Sequence, residues 1–282
     1  MQIGKYKLHK IDTGTFKLDG GAMFGIIPKP LWERTNSSDE QNRTVLAARC
    51  LLLESGSKKI LVDTGVGTGW DEKFKKIYDY ENETGMLEKS LSSLNIAPDE
   101  ITDVILTHLH FDHTGGSTKL ENDKWIPAFS NAKYHVQKKH FEWALNPSDR
   151  DRGSFHLNRF MPLYEEGVLN LIDGEKSFDD EIEFMLIDGH TIAQQMIKIS
   201  DSSNTLVYCG DLLPFTSHIH LPFVMGYDIQ PIKTIEEKKA LYKNAVEEEW
   251  KIYFEHDENI AIGTIKQTEK GFTLGEVIDS VE

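Results

Sequence analysis

The segment THLHFDHTGG concentrates metal-binding side chains after one apolar run. His108, His110, Asp112 and His113 fall within six positions, directly after DVIL. Imidazole and carboxylate groups are ligands that zinc and neighbouring divalent ions bind well. In an extended segment His108 and His110 share a face and can hold one ion, whereas Asp112 and His113 lie beyond the strand end and can turn towards a second. A charged loop with incidental histidines is the plainer interpretation, and the density of ligand types disfavours it.

Three further candidates end later apolar runs. His190 follows EFMLID and a glycine, Asp211 ends TLVYCGD, and His256 is the penultimate residue of KIYFEHD. Side chains at the ends of neighbouring strands can meet at one edge of a sheet. Each residue alone has a plainer interpretation, because an aspartate after a strand is often a helix cap. Their recurrence at strand ends predicts that they complete a metal site.

The elements that must position these residues follow an alternating strand and helix pattern. Two apolar runs around the turn Ser55-Gly56-Ser57 predict a β-hairpin. The segments FKKIYDY, MLEKSLSSLN and KKHFEWALN have helical spacing. This pattern predicts an α/β fold, which we interpret as one domain over residues 1–282.

Two boundaries carry specific expectations. A long amphipathic helix is expected after Pro231, opened by a capping box of Thr234 and Glu237. Residues 146–166 combine many charges with weak periodicity, and we expect them to form an excursion over the surface.

Charge and composition exclude several partners. The chain has 31 basic and 46 acidic residues and a formal net charge of −15. Nucleic-acid binding depends on Lys and Arg displacing counterions, so neither a nucleic acid nor an anionic membrane is an expected partner. No run has the apolar length of a signal peptide or a membrane span. Two cysteines, Cys50 and Cys209, fit a reducing compartment, which predicts a cytoplasmic location.

The order HxHxDH, GHT, GD and a late histidine, with LVDTG before them, resembles the metallo-β-lactamase superfamily over nearly the whole chain. The resemblance implies a four-layer αββα sandwich that holds two divalent ions, with zinc expected first and manganese, cobalt or iron also accepted. It implies a ligand role for each candidate. One ion would be held by His108, His110 and His190, the other by Asp112, His113 and His256, with Asp211 as the bridge. Asp63 would orient a ligand histidine, or would serve only as a turn residue before Gly65.

Within the superfamily the chain resembles the branch of N-acyl-homoserine lactonases and methyl-parathion-hydrolase-like enzymes. His110 differs from the carboxylate that iron-containing redox members have there, and Asp211 differs from the cysteine of many β-lactamases. The segments DGGAMFGIIPKPLWER and GDLLPFTSHIHLPFVMGYD are similar to those of quorum-quenching lactonases. One departure is Pro214, where a subgroup of lactonases has a tyrosine. His220 and Tyr227 are candidates for its role, with ordinary packing as the alternative.

The resemblance implies opening of a lactone ring, expected to be an N-acyl-homoserine lactone, by a hydroxide held between the two ions. Asp112 would pass a proton to the leaving oxygen. Met23 and Phe24, with Ile26 and Phe223, are expected to form a slot for the acyl tail of this small-molecule substrate. The same apolar loop could instead plug the core or form a homodimer interface.

Two other functions stay open. The same centre could hydrolyse a phosphotriester or another ester, because the ligands do not discriminate between these substrates. A non-catalytic, metal-dependent sensor of a small molecule is the third interpretation.

Overall fold

The computed structural model describes residues 1–80 and 85–278, which divide into two compact units. Met1–Gly14 and Ala48–Gly174 belong to the first unit. Thr15–Ala47 and residues 175–278 belong to the second. Both boundaries in the N-terminal region lie inside long strands. The interpretation of residues 1–282 as one domain stays a prediction.

Fifteen strands and eight α-helices lie in the described ranges. The strands are β1 (Gln2–Ile3), β2 (Tyr6–Asp19), β3 (Arg43–Ser55), β4 (Lys58–Val62), β5 (Asp103–Ile105), β6 (Thr118–Glu121), β7 (Lys124–Pro127), β8 (Lys133–Gln137), β9 (Leu169–Ile172), β10 (Ile182–Ile187), β11 (Gln194–Ser200), β12 (Thr205–Tyr208), β13 (Lys251–Tyr253), β14 (Ile262–Thr268) and β15 (Gly271–Val277). The helices are α1 (Gly20–Phe24), α2 (Lys29–Trp32), α3 (Glu72–Tyr78), α4 (Met86–Ser93), α5 (Phe111–Thr114), α6 (Lys138–Leu145), α7 (Met161–Glu165) and α8 (Pro231–Glu247). None of these helices is both long enough and apolar enough to cross a membrane.

A seven-stranded mixed sheet organises the first unit, in the order β1-β2-β3-β4-β5-β8-β9. β3 and β4 form the predicted antiparallel hairpin, with Leu51 opposite Val62. Parallel pairing then runs from β4 through β5 and β8 to β9. Parallel neighbours end at the same edge of a sheet, so the residues that follow β4 and β5 emerge side by side. This edge receives Asp63 after β4 and the histidine segment after β5.

The second unit contains a six-stranded sheet in the order β10-β11-β12-β13-β14-β15. Its pairings are antiparallel except for β12 with β13, which α8 connects as a parallel crossover. Because β12 and β13 end at one edge, Asp211 and His256 follow two neighbouring strand ends. Apolar side chains such as Val207, Ile252 and Phe254 are fully buried in the core of this unit.

Residues 146–166 differ from the predicted surface excursion. Phe155, Phe160 and Leu163 belong to the hydrophobic core of the first unit, and Arg159 is only 1% exposed. The segment consists of two 3-10 turns followed by α7. Such short turns bury isolated residues without producing a helical or strand period, which explains why the periodicity is weak.

The predicted capping box of the long helix is also wrong. α8 begins at Pro231, three residues before Thr234. Proline suits the first helical position because an N–H there would have no partner within the helix. Thr234 therefore lies inside the helix and donates a hydrogen bond to Asp228 (3.0 Å). Glu237 accepts the backbone N–H of Asp188 (2.8 Å) instead of capping α8.

Candidate metal centre

His108 and His110 lie in the loop that follows β5, since β5 ends at Ile105. Both side chains are buried, and His108 Nε2 lies 3.0 Å from His110 Nδ1. Two nitrogen ligands of a tetrahedral zinc ion are roughly 3.3 Å apart, because each lies about 2.0–2.1 Å from the ion. The pair therefore has the separation expected of two ligands of one ion.

Asp112 and His113 lie on the one-turn helix α5, directly after His110. Both are buried, and His113 Nε2 lies 3.7 Å from a carboxylate oxygen of Asp112. The chain after α5 passes so close to the loop after β4 that a Cβ on Gly115 would overlap the carbonyl oxygen of Val66. Glycine is therefore required at this position because there is no space for a side chain between the two backbones.

Asp63 directly follows β4 and has a left-handed backbone (φ 56°), a conformation that aspartate tolerates better than most residues. Its Oδ2 lies 3.1 Å from His113 Nδ1 and accepts the Thr107 hydroxyl at 2.7 Å. Its Oδ1 accepts the Thr107 backbone N–H at 2.8 Å. An imidazole whose Nδ1–H is held in this way directs its Nε2 lone pair to the opposite side.

In the second unit Asp211 lies between two histidines. Its Oδ2 is 3.0 Å from His190 Nε2, and its Oδ1 is 3.2 Å from His256 Nε2. The Nδ1 atoms of both rings are held from behind, His190 by Asp228 (2.9 Å) and His256 by the carbonyl of Ala47 (2.8 Å). Both imidazoles therefore turn Nε2 towards the same carboxylate.

The electrostatics around His190 favour a positive charge. Burial lowers the pKa of His190, but the carboxylates of Asp211 and Asp228 outweigh burial and raise that pKa to about 10. A divalent cation supplies positive charge at such a position and leaves the imidazole neutral, as ligation requires. Buried imidazole and carboxylate groups of this kind could hold divalent metal ions. The chemistry of the donor set therefore fits the predicted cofactor.

Three supporting residues escaped the sequence analysis. Asp228 contacts His190, and Thr107 donates to Asp63. His140 Nε2 accepts the backbone N–H of Leu109, the residue between His108 and His110 (2.8 Å). Asp228 stands 38 positions from His190. Its only local signal is its place at the end of the segment GDLLPFTSHIHLPFVMGYD, which resembles that of lactonases.

The predicted acyl-slot residues of the N-terminal loop are mostly interior. Met23 and Phe24 are buried, and the Phe24 ring stacks on Trp32 at 4.8 Å between centroids. Ile26, by contrast, is 90% exposed. This burial favours the interpretation of Met23 and Phe24 as a plug in the core of the second unit.

The two candidates for the role of the lactonase tyrosine, His220 and Tyr227, are less buried than a neighbouring histidine, His218. His220 is exposed and Tyr227 is half-buried. His218 is the buried ring of this segment, with Nε2 at 2.9 Å from the Met23 carbonyl and the ring stacked on Phe24. Burial, then the charge of Lys238, lowers the pKa of His218 to about 3, so this imidazole is neutral. Cys209 is fully buried, and burial raises the pKa of its thiol.

The first unit carries an aromatic patch next to Asp112, made of Trp70, Phe74, Tyr78, Phe111 and His156. Trp70 stacks on Phe74 with centroids 3.8 Å apart, and Tyr78 lies 4.8 Å from Phe111. Burial, then the negative charge of Asp112, raises the pKa of Tyr78. The patch therefore presents apolar rings beside a candidate ligand.

Comparison with known proteins identifies the family. Residues 43–256 match the model of the metallo-beta-lactamase superfamily. A probable metallo-hydrolase of Methanocaldococcus jannaschii is 28% identical over 171 residues, which are 60% of this chain and 64% of that protein, so the match spans just under two thirds of that relative. An N-acyl homoserine lactonase of Bacillus thuringiensis is 25% identical over 222 residues, 74% of this chain and 80% of that protein.

Solved structures agree on the fold. A probable metal-dependent hydrolase from Staphylococcus aureus superposes with a TM-score of 0.89 at 27% identity and covers 100% of both chains. The dizinc quorum-quenching lactonase AidC, in complex with a homoserine product, superposes with a TM-score of 0.82 at 21% identity over 99% of this chain and 97% of its own. These matches confirm the predicted α/β fold of the metallo-β-lactamase type, and with the buried ligand groups they support a metal-dependent hydrolase. The chain belongs to the metallo-β-lactamase superfamily.

Proposed function

We propose that the chain binds two divalent metal ions, zinc first among them, through seven histidine and aspartate side chains. The first ion would be held by His108, His110 and His190, the second by Asp112, His113 and His256. Asp211 would bridge them, a role supported by its two oxygens, which face two different histidines at 3.0 and 3.2 Å. All of these positions fall within the matched residues 43–256.

Divalent ions, when bound, supply a hydroxide nucleophile at neutral pH and polarise the bond to be cleaved. The remaining tasks belong to side chains of the chain itself. Asp63 and Asp228 would hold the rings of His113 and His190, so that each Nε2 stays directed at its ion. Asp112 would transfer a proton to the leaving oxygen as the ring opens.

We further propose that the substrate is a lactone with an acyl tail, an N-acyl-homoserine lactone first. The observation that carries this choice is the aromatic patch next to Asp112, because half-buried rings such as Trp70 and Tyr78 suit an apolar tail beside a polar reacting centre. The similarity to an N-acyl homoserine lactonase over 74% of the chain supports the same choice. Quorum quenching would be the biological consequence.

Pro214 replaces the lactonase tyrosine, so the hydroxyl of that tyrosine has to be absent or supplied by another group. Tyr227 is half-buried and keeps this role as a candidate, whereas the exposed His220 is the weaker one. A cytoplasmic location and a homodimer stay predictions. The exposed side chains of Ile26 and Leu31 (90% and 48%) are a surface that a dimer could cover.

The test measures proton release in weak buffer by the zinc- or manganese-loaded protein. N-Acyl-homoserine lactones of graded chain length are compared with a phosphotriester and a β-lactam. We expect turnover of the lactones that is lost on chelation and in His110→Ala. The matched control is His9→Ala, which removes a buried histidine hydrogen-bonded to Glu54 and should leave turnover unchanged.

The other two functions predict different results in this assay. Turnover of the phosphotriester without turnover of any lactone would keep the metal centre and reject the lactone substrate. No turnover of any substrate, combined with a lactone-dependent rise in melting temperature, would support the sensor.

A further inference from the structure

Arg159 lies buried between two indole rings of the first unit. Its guanidinium carbon is 3.9 Å from the ring centroid of Trp70 and 4.1 Å from that of Trp125. The side chain is only 1% exposed, and Nη1 donates a hydrogen bond to the carbonyl of Gly115 (3.2 Å). An arginine this buried is ordinarily paired with a carboxylate. Among residues 1–80 and 85–278, the groups that contact the Arg159 guanidinium are instead two aromatic rings and a backbone carbonyl.

The sandwich joins three segments that are distant in sequence. Trp70 precedes α3, Trp125 lies on β7, and Arg159 ends the second 3-10 turn of the segment 146–166. Trp70 is fixed on its other edge, because its indole N–H donates to the carbonyl of Val66 (2.8 Å). Phe74 also stacks on Trp70, so this indole has a stacking partner besides Arg159 and a hydrogen bond at its N–H.

The segment that carries Arg159 also contributes to the rest of the aromatic patch. Its backbone N–H bonds the carbonyl of His156 (2.8 Å), whose ring stands edge-on to Trp70 at 4.9 Å. One residue earlier, Phe155 pairs with His110 as an isolated β-bridge, and their rings lie 4.8 Å apart. Arg159 thus belongs to a segment that carries one ring of the patch and touches a candidate ligand.

We propose that Arg159 is a positioning residue that sets the preference for acyl-chain length, by stacking between Trp70 and Trp125 and holding the aromatic patch in place. The proposal rests on the proposed function, because it takes the patch as the surface for the acyl tail. Arginine suits this role better than lysine, since only a planar guanidinium stacks on both rings at once.

The experiment compares Arg159→Met and Arg159→Lys with the control Arg152→Met, which removes an exposed arginine of the same segment paired to Asp149. For the metal-loaded Arg159→Met protein we expect ~5-fold higher KM on N-decanoyl-homoserine lactone, with kcat and the KM for the N-butanoyl substrate unchanged. The near-UV circular dichroism of tryptophan should change in parallel. Arg159→Lys should restore only part of both effects, and Arg152→Met should match the wild type.

A second readout separates this proposal from the proposed function. Calorimetric binding of ring-opened N-decanoyl- and N-butanoyl-homoserine requires no turnover. If the wild-type protein hydrolyses no lactone yet binds the decanoyl compound more tightly, and Arg159→Met abolishes that difference, Arg159 keeps its role and the lactonase proposal fails. Equal effects on long and short chains, or none, overturn the role of Arg159. Should Arg159→Met not fold, Trp125→Leu removes one face of the sandwich and must show the same selective loss.

Discussion

At the scale of single residues, Asp63 and Asp228 use the same device in the two units. Each carboxylate lies within 3.1 Å of Nδ1 of a candidate ligand histidine, and each also accepts a threonine hydroxyl, from Thr107 or Thr234. The threonine bond fixes the carboxylate, and the carboxylate fixes the ring. The orientation of these two candidate ligand rings is thus supported by side chains of the chain itself.

We predict that Asp228→Ala weakens metal binding ~10- to 100-fold, because His190 loses the acceptor that orients its ring. Asp228→Asn should lose less, since an amide oxygen still accepts the Nδ1–H. Competition with a chromophoric chelator measures the affinity. The exposed Asp149→Asn provides the control, and equal affinity in Asp228→Ala and the control would contradict this orienting role.

At the scale of elements, the turn after α5 depends on two backbones in contact. The backbones around Gly67 and Gly115 approach closely. A Cβ on Gly115 would overlap the carbonyl oxygen of Val66, and a Cβ on Gly67 would overlap that of Gly115. Loop closure after β4 and α5 therefore leaves no room for a side chain. The histidine motif can turn back on itself only with glycine at this point.

We predict that Gly115→Ala lowers the free energy of unfolding by about 1–3 kcal/mol, the usual cost of forcing atoms into a packed site. Metal content should fall with it, because the displaced loop carries Asp112 and His113. Chemical denaturation and metal analysis measure the two effects. Gly153→Ala is the matched control, since a Cβ there meets no atom within 4 Å, and a change above roughly 0.5 kcal/mol in this control would undermine the comparison.

The helix α8 holds the segment after Asp211 through a buried amine. Lys238 is fully buried, and its Nζ donates to the carbonyls of His218 (2.8 Å) and Phe223 (2.5 Å). Burial lowers the pKa of Lys238 to about 7 even though the charge of Asp228 opposes this shift. The amine thus titrates near neutrality in the folded protein.

This shift predicts a pH-dependent contribution to stability. Between pH of about 7 and 10.4 the unfolded chain binds the Lys238 proton more tightly than the folded one, so the free energy of unfolding rises with pH. Lys238→Met lacks this contribution. We therefore expect the wild type to gain stability relative to the variant as pH rises from 7 to 10, measured by urea denaturation. The exposed Lys239→Met controls for helix effects, and a difference that is constant with pH would rule out the assigned titration.

At the scale of the whole molecule, binding of the proposed ions to the folded protein should raise its free energy of unfolding. We predict that a chelator lowers the melting temperature and that added zinc restores it. At a zinc concentration 100 times the Kd, binding to the folded state alone contributes ~2.7 kcal/mol. Differential scanning fluorimetry measures the shift, which His110→Ala should reduce. Identical melting with and without chelator would argue against metal bound by the native protein.

The sequence by itself determined the family, the alternation of elements and the candidate ligand types. His108, His110, Asp112 and His113 are recognisable because they lie within six positions of one segment, so no long-range contact is needed to find them. The hairpin of β3 and β4 was equally predictable, since period and turn chemistry act over a few residues. Local rules failed where boundaries compete, as with Thr234 inside α8.

Only the tertiary structure decided which residues support the ligands. Asp228 reaches His190 across 38 positions, and Arg159 meets Trp70 and Trp125 from the segment that sequence patterns assigned to the surface. The tertiary structure also buries His218, whereas His220, the candidate for the tyrosine role, is exposed. The physical reason is common to these cases. A hydrogen bond or a stacked cation depends on distance in space, and residues far apart in the chain leave no periodic or local pattern to predict it.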